Sequence, residues 1–380
     1  NRRSQYVMEQ KFCNFLGNGL YISNRSSDLK ISPCCFYKSP TIINDIHTSV
    51  KNLDNQINLL LQNSSKKNYH TPACDICMQQ EKSNIASYRQ SSFAYQSYND
   101  NKIVALTIDI DRKCNLACAS CNENDSSLWY KEKQKFGIDM KTSIHQMHKK
   151  NTDENLNSII DAICKLDLSK VEWIKFGGGE PLLSNTHLYF LNKLKKHIDI
   201  SRVTLNYTSN YSIVPSKATF NLWKQFKKIE LSGSIDGVDD QFTFLRWPFK
   251  FKKLINNLKA LYNQSPSNVE FKIEHTVNPL NIFYYDLFQK FIHNVFNTNS
   301  AGQRTVINIH PCWGDLGLAH THPTVLEMTK LKLGNEHKVV RLAEQSIDHT
   351  KLDVTYLNSL DKMRGTNWRK LFSEVEKYYD

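Results

Sequence analysis

The 380-residue chain has no run of about 18 apolar residues, so no transmembrane helix is expected. It opens Asn1-Arg2-Arg3, with neither an initiator Met nor the apolar stretch of a secretory leader, and no signal peptide is read there. No internal repeat stands out. The interleaved basic and aromatic residues of an RNA-recognition signature are missing too. What is present argues for a folded chain: 40% of residues are hydrophobic and 11% aromatic, too many for the disordered class. The length suggests one large domain and a smaller one. The net charge of +12 suits either solubility or an acidic partner such as a peptide, nucleotide or nucleic acid. Charge alone does not choose. The lysines are scattered, with modest clusters at Lys149-Lys150, Lys195-Lys196, Lys227-Lys228 and Lys250 to Lys253.

Ten cysteines need a physical reason. A disulfide frame belongs to small secreted domains, and this chain is long and clusters its cysteines. Clustered cysteines point to metal. Five lie in the first hundred residues, a polar stretch rich in Asn and Ser, where Ile57, Leu60 and Leu61 suggest a helix over Ile43–Leu61 and Gln62–Asn68 reads as a loop.

From about residue 102 strands alternate with helices. Strand candidates are Ile103–Ile110, Val171–Phe176, Arg202–Tyr207, Ile229–Ile235, Val269–Val277 and Thr305–His310. Helical patterns cover Leu156–Leu166, His187–His197, Ser216–Phe226, Phe251–Tyr262 and Ile282–Phe296. This is the signature of parallel βαβ units. Six units fall short of a closed barrel, so the expected fold class is α/β, a partial (β/α)6 TIM-like barrel. Most strands carry a polar row at period two: Thr107/Asp109/Asp111, Thr204/Asn206/Thr208, Glu230/Ser232/Ser234/Asp236, Glu270/Lys272/Glu274 and Asn308/His310. Parallel strands covered on both faces are normally apolar throughout, so these rows suggest an interior holding polar ligands and water. Helices at Thr324–Leu331, Lys338–Ser346, Leu352–Met363 and Trp368–Tyr379 follow. The expected organisation is a Cys-rich module over 1–100, the barrel over 101–315 and a helical extension over 316–380.

Asp111-Arg-Lys-Cys114-Asn-Leu-Ala-Cys118-Ala-Ser-Cys121 comes directly after the first barrel strand. The spacing lets one loop wrap three thiolates around a [4Fe–4S] cube, leaving one iron open. Structural zinc prefers four protein ligands in a closed site. Phe176-Gly177-Gly178-Gly179-Glu180-Pro181 follows the second strand; its glycines allow close backbone approach, and Glu180 can accept hydrogen bonds from an ammonium.

This Cys-x3-Cys-x2-Cys loop resembles the signature of the radical S-adenosylmethionine (SAM) superfamily, and Gly178 to Pro181 resemble its Gly-Gly-Glu-Pro segment, which holds the SAM amino group. The resemblance implies an enzyme in which the open iron binds SAM and an electron splits it to methionine and a 5′-deoxyadenosyl radical. The cofactor does the hard chemistry and the protein positions it. Ser209 and Asn210 match a Thr-Asn-Gly stretch near the ribose, with Tyr211 where the family has glycine. Ser234-Ile235-Asp236-Gly237 and Arg246 resemble a stretch of peptide-modifying members, where Ser and Arg contact ribose and carboxylate. Every motif falls at the C-terminal end of an expected strand, where such barrels place their sites.

Cys13, Cys34, Cys35, Cys74 and Cys77 are spaced for a second metal site. They resemble the SPASM and twitch auxiliary-cluster modules, although those commonly follow the barrel and have a glycine before Pro-Cys-Cys. Five cysteines suit one further [4Fe–4S] cluster using four of them, with Cys34 and Cys35 as alternatives; zinc is the other reading. Cys164 reads as core. No catalytic base is fixed: Asp236, Glu274 and His310 are candidates by placement, and Cys312 reads either as a hydrogen donor or ligand at the site or as a buried structural thiol.

The resemblance implies a peptide or protein substrate, a flavodoxin- or ferredoxin-like electron donor and a cytoplasmic, reducing setting. No membrane is involved on this reading, and nucleic acid is not the expected partner. The competing readings are a radical SAM enzyme acting on a nucleoside, sugar or small metabolite, and a non-catalytic iron–sulfur or zinc protein.

Overall fold

The computed structural model describes residues 13–24, 29–38, 41–43, 50–65, 72–82, 87–92, 102–296, 306–348 and 350–379. Its centre is one sheet of nine strands: β1 (Gly19–Ser23), β2 (Leu29–Ser32), β3 (Thr41–Ile43), β4 (Ala105–Asp109), β5 (Trp173–Phe176), β6 (Thr204–Ser209), β7 (Lys228–Ser234), β8 (Val269–Val277) and β9 (Val306–Pro311). The order across the sheet is β3-β2-β1-β4-β5-β6-β7-β8-β9. β4 to β9 run parallel, each joined to its sequence neighbour. The sheet ends in β3 and β9 without closing, which is the expected partial barrel.

The period-two rows sort cleanly. Leu106 and Ile108, Leu205 and Tyr207, Ile229 and Leu231, and Ile273, His275 and Val277 point into the helical layer and are buried. Their alternates form the inner face: Lys175, Asn206, Glu230, Lys272, Glu274 and Asn308 are partly open. Paired charges line it. Glu230 accepts from Lys272 (2.8 Å) and Asn206 (3.0 Å), and Glu274 from Asn308 (3.0 Å) and His310 (2.6 Å). These partners hold both carboxyls below the usual carboxylate range despite burial.

The helices cover the outer face. Ser216 caps the helix Lys217–Trp223 by accepting from Thr219 N. Thr152 caps Asp153–Ile163 in the same way, accepting from Asn155 N. Two helices the sequence did not reveal, Ser127–Lys135 and Thr142–Lys150, lie between β4 and β5. The expected terminal helix from Trp368 stops at Leu371, because Phe372 leaves helical backbone (φ −124°, ψ 42°). Gln62 to Ser65, read as loop, continue the helix Val50–Ser65. Among the described residues no helix is long and apolar enough to cross a membrane.

The N-terminal stretch joins this sheet. β1 pairs parallel with β4, Tyr21 beside Thr107, and β2 and β3 add antiparallel strands outside it. Leu20, Ile22 and Ile31 enter the main core. A seventh parallel strand therefore precedes the six legible ones, and Tyr21 reaches Asp109 on the inner face (2.5 Å).

Candidate functional site

The loop from Asp111 to Cys121 leaves the C-terminal end of β4, and almost every backbone group in its middle is held from outside. Ala117 N donates to Trp247 O (2.7 Å) and Ala119 N to Leu245 O (2.8 Å). Leu116 O accepts from Ser126 Oγ (2.5 Å) and Cys118 O from Trp129 Nε1 (2.8 Å). Ala117 O and Ala119 O accept from Arg364 and Tyr356 of the C-terminal extension (2.8 and 2.7 Å). Such a loop has little freedom to place its thiols elsewhere. Cys114, Cys118 and Cys121 lie close enough to act on one another electrostatically. Burial raises all three thiols, Cys114 to about 12, while the Arg246 guanidinium opposes the rise at Cys118.

The glycine run after β5 has a role its sequence did not disclose. Gly179 N and Glu180 N donate to Asp111 O and Lys113 O (2.8 and 2.7 Å), so the run is laced to the start of the cysteine loop. A Cβ on Gly178 would lie 2.2 Å from Asp111 O, and one on Gly179 2.3 Å from Lys113 O. Gly178 also has φ +105°, where side chains are strained. The glycines admit the protein's own loop; open space for a ligand is not what they provide.

Glu180 is 1% exposed. Its carboxylate accepts from Ser209 Oγ (3.0 Å), Asn210 N (2.6 Å) and Leu182 N (3.1 Å). Burial outweighs these bonds and raises its pKa to about 7. Asn210 Nδ2 in turn faces Cys114 Sγ at 3.9 Å, linking the end of β6 to the triad. Tyr211, where a glycine was expected, takes φ +57° and is fully buried. Its ring lies over Gly233 of β7, where any Cβ would collide with it, and its hydroxyl donates to Leu231 O (2.8 Å).

Arg246 bridges Asp236 (2.6 Å) and Cys118 Sγ (3.6 Å). Its Nε is buried without a hydrogen-bond partner, a donor held ready beside the triad. Asp236 is spent on this pair and on Thr276 N (2.8 Å), so it acts as an anchor and is poorly suited to proton abstraction. Cys312 is buried near the same pair, with burial raising it to about 12. Ser234 ends β7 half-buried on the inner face. His310 and Glu274 form a hydrogen-bonded pair on β9 and β8, with His310 exposed.

The N-terminal cysteines gather elsewhere. Cys13, Cys34, Cys74 and Cys77 border one small cavity, with Phe15, Tyr88 and Arg89 on its wall. Cys35 is exposed. Ala105 and Trp173, the first residues of β4 and β5, pack into the same cluster. The cavity therefore sits at the start of the strands, whereas the triad follows their ends. A five-residue strand spans roughly 17 Å, which is the scale of their separation. A buried pair closes the wall behind Cys77: Arg89 Nε donates to Glu81 (2.8 Å), a second guanidinium nitrogen meets the other oxygen, and Ser87 bonds Glu81 too. Among the described residues no three His, Cys, Asp or Glu side chains converge on a point where a single ion would sit. Cys164 is half-buried against the core, as expected.

Sequence reasoning missed Tyr356 and Arg364, which touch the cysteine loop from more than 230 positions away and carry no local motif. It also missed Arg112, which is fully buried and bonds Asp109 (2.7 Å) under the loop.

Neither a protein-family model nor a curated protein matches the chain. Among solved structures it is similar to native anSMEcpe with bound AdoMet, at 17% identity and TM-score 0.39, over 60% of this chain and 59% of that one. It is also similar to Streptococcus suis SuiB bound to S-adenosylmethionine, at 14% identity and TM-score 0.32, over 66% of this chain and 44% of that one. A further SuiB structure from the same organism aligns over 84% of this chain and 70% of that one, at 13% identity and TM-score 0.34. The chain thus spans about three-fifths or less of the first two. At this level of likeness, the chemistry has to be argued from the chain's own residues.

Proposed function

We propose that the chain is a radical SAM enzyme. The observation that carries this reading is the convergence at one end of the sheet: three thiols of one pinned loop, a buried carboxylate at Glu180, and a guanidinium at Arg246 with a donor to spare. Three thiols from one loop suit a [4Fe–4S] cluster with an iron open to an outside ligand. A ligand bearing both an ammonium and a carboxylate would find a partner for each. Cys114, Cys118 and Cys121 would hold the cluster, which when bound and reduced would supply the electron for cleavage of the sulfonium–5′ carbon bond of SAM to methionine and a 5′-deoxyadenosyl radical. Glu180 orients the ammonium, and the ammonium relieves the burial of its charge. Arg246 Nε faces the carboxylate, while Asp236 fixes the guanidinium plane. Asn210 and Ser209 hold Glu180 in place.

The substrate is a peptide or protein side chain or backbone. Support comes from the Ser234-Ile235-Asp236-Gly237 stretch and from a polar inner face that stays open at β9. There the His310–Glu274 pair is the group best placed to move a proton, since Asp236 is occupied and Cys312 buried. Cys13, Cys34, Cys74 and Cys77 hold a second [4Fe–4S] cluster with Cys35 uninvolved; the support is that four thiols bordering one pocket make a complete ligand set, and zinc is the alternative occupant.

The test is anaerobic reconstitution followed by SAM and dithionite, with 5′-deoxyadenosine, iron and sulfide measured on one sample. Deoxyadenosine with about eight irons per chain supports both centres. About four irons would remove the second cluster. An iron-replete protein that makes no deoxyadenosine would remove the radical reading.

A further inference from the structure

The extension after β9 does more than cover the barrel. Its helix Val354–Arg364 lies against the back of the cysteine loop. Tyr356 donates to Ala119 O and Arg364 to Ala117 O, the carbonyls on either side of Cys118. Arg364 is buried, its side chain 1% exposed, and is itself held on several sides. Its guanidinium lies 4.6 Å from the Trp129 ring centroid and 5.8 Å from that of Trp247. It pairs with Glu132 (3.0 Å), whose other oxygen accepts from Trp247 Nε1 (2.9 Å). Trp129 closes the circuit by donating to Cys118 O.

A buried arginine is costly to keep, and two of its nitrogens, Nε and Nη1, have no hydrogen-bond partner. A lone carbonyl could be satisfied by a neutral amide. The feature a guanidinium adds is positive charge against the backbone next to Cys118, whose sulfur Arg246 also contacts. An iron–sulfur cluster gains a negative charge on reduction, so a nearby buried cation stabilises the reduced form.

We infer that the helix Val354–Arg364 is part of the cluster site: Arg364 is a positioning residue that clamps the cysteine loop and, with Arg246, sets the charge around Cys118. This rests on the reading of the triad as an iron–sulfur centre. The extension thus couples its own docking to the redox poise of that centre, and anything that lifts the helix would make the cluster harder to reduce.

The experiment uses the full reconstituted chain and compares wild type with Arg364→Gln, Arg364→Lys and Tyr356→Phe. Readouts are the central cluster's midpoint potential by redox titration, its EPR signal with and without SAM, and the rate of iron loss to a chelator. Arg364→Gln removes a cation and leaves Glu132 unpaired, and both changes lower the potential. Iron loss should quicken by on the order of 10-fold, the usual scale for supporting partners of a metal site. Arg364→Lys should restore much of the potential while still losing iron faster, since an ammonium cannot reproduce the planar fork. Tyr356→Phe should quicken iron loss with no shift in potential. Arg364→Gln with a native circular dichroism spectrum but wild-type potential, EPR and iron retention would overturn the inference. A wild-type triad that binds no cluster would overturn the underlying reading instead. If Arg364→Gln does not fold, the iron loss of Arg364→Lys and of Tyr356→Phe decides: wild-type iron retention in both overturns the inference.

Discussion

The two cysteine groups of this chain lie at opposite ends of the same strands and are built differently. The triad comes from eight consecutive residues, and its neighbours are charged: Arg246, Asp236, Glu180 and Arg364 all act on it. The four N-terminal cysteines come from three separate segments, and their wall is mostly apolar, with one buried ion pair, Arg89–Glu81, behind Cys77. A set drawn from one loop can keep its shape without its metal, because protein hydrogen bonds already fix that loop. A set drawn from three segments gains its shape from whatever ties those segments together, as small metal-held modules do. The triad is thus suited to leave a coordination position open for chemistry. On the proposed reading the other set would close around a metal and anchor helical and strand segments to the start of β4 and β5.

The largest effect expected from this contrast is at Cys118. Cys118→Ala should abolish the central cluster and reduce 5′-deoxyadenosine formation to background, while about four irons remain at the other centre. Loss of all iron would mean that the two sites are not independent. Next come Cys34 and Cys35, adjacent in sequence but unlike in place, one bordering the cavity and one exposed. Cys34→Ser should lower iron by about four per chain and lower the melting temperature, whereas Cys35→Ser should change neither. Iron analysis and thermal melting on both variants would break the assignment if Cys35→Ser proved the damaging one.

Gly179→Ala should have a smaller effect. Its Cβ would meet Lys113 O at 2.3 Å, so the run after β5 must separate from the cysteine loop. A cost of roughly 1–3 kcal/mol is expected from such overpacking, read by denaturant titration. The loss should appear at the triad and spare the N-terminal metal.

Much of this was legible because periodicity survives in single sequences. All six barrel strands appear within about three residues of their expected ends, and β8 has the expected limits, Val269–Val277. The polar rows do share one face. β1 and β2 were hidden because Asn, Ser and Gly surround two short alternations, Leu20/Ile22 and Leu29/Ile31, too brief to count as strands alone. The pairing of β1 with β4 across more than 80 residues, and of β2 with β1, decides the matter. The Arg364 and Tyr356 contacts were illegible for the same reason: nothing local marks a residue that acts on a loop 237 or more positions away. Tyr211 was legible as a departure, yet its consequence was not. The residue accepts the left-handed backbone that glycine would favour, and Gly233 across the sheet makes room for its ring.

The smallest expected effect is a pH dependence confined to the triad's end of the sheet. Burial raises the pKa of Glu180 from 4.5 to about 7. The folded chain therefore holds a proton there that the unfolded chain has lost between those values. Its contribution to stability falls as pH rises from about 4.5 to 7 and is level outside that window. A cationic ligand needs the opposite state, the carboxylate. SAM affinity should then rise with pH across the same range, by roughly fivefold from pH 6 to pH 7, and level off above. Equilibrium binding of SAM to the reconstituted protein at several pH values checks the slope. Glu180→Gln should flatten it and bind roughly 10-fold or more weakly, since a charge-assisted hydrogen bond is lost. A flat wild-type profile would mean that Glu180 supports the loop without meeting the ammonium. The N-terminal centre, whose nearby carboxylate Glu81 is tied to Arg89 and Ser87, should keep its iron unchanged over the same range.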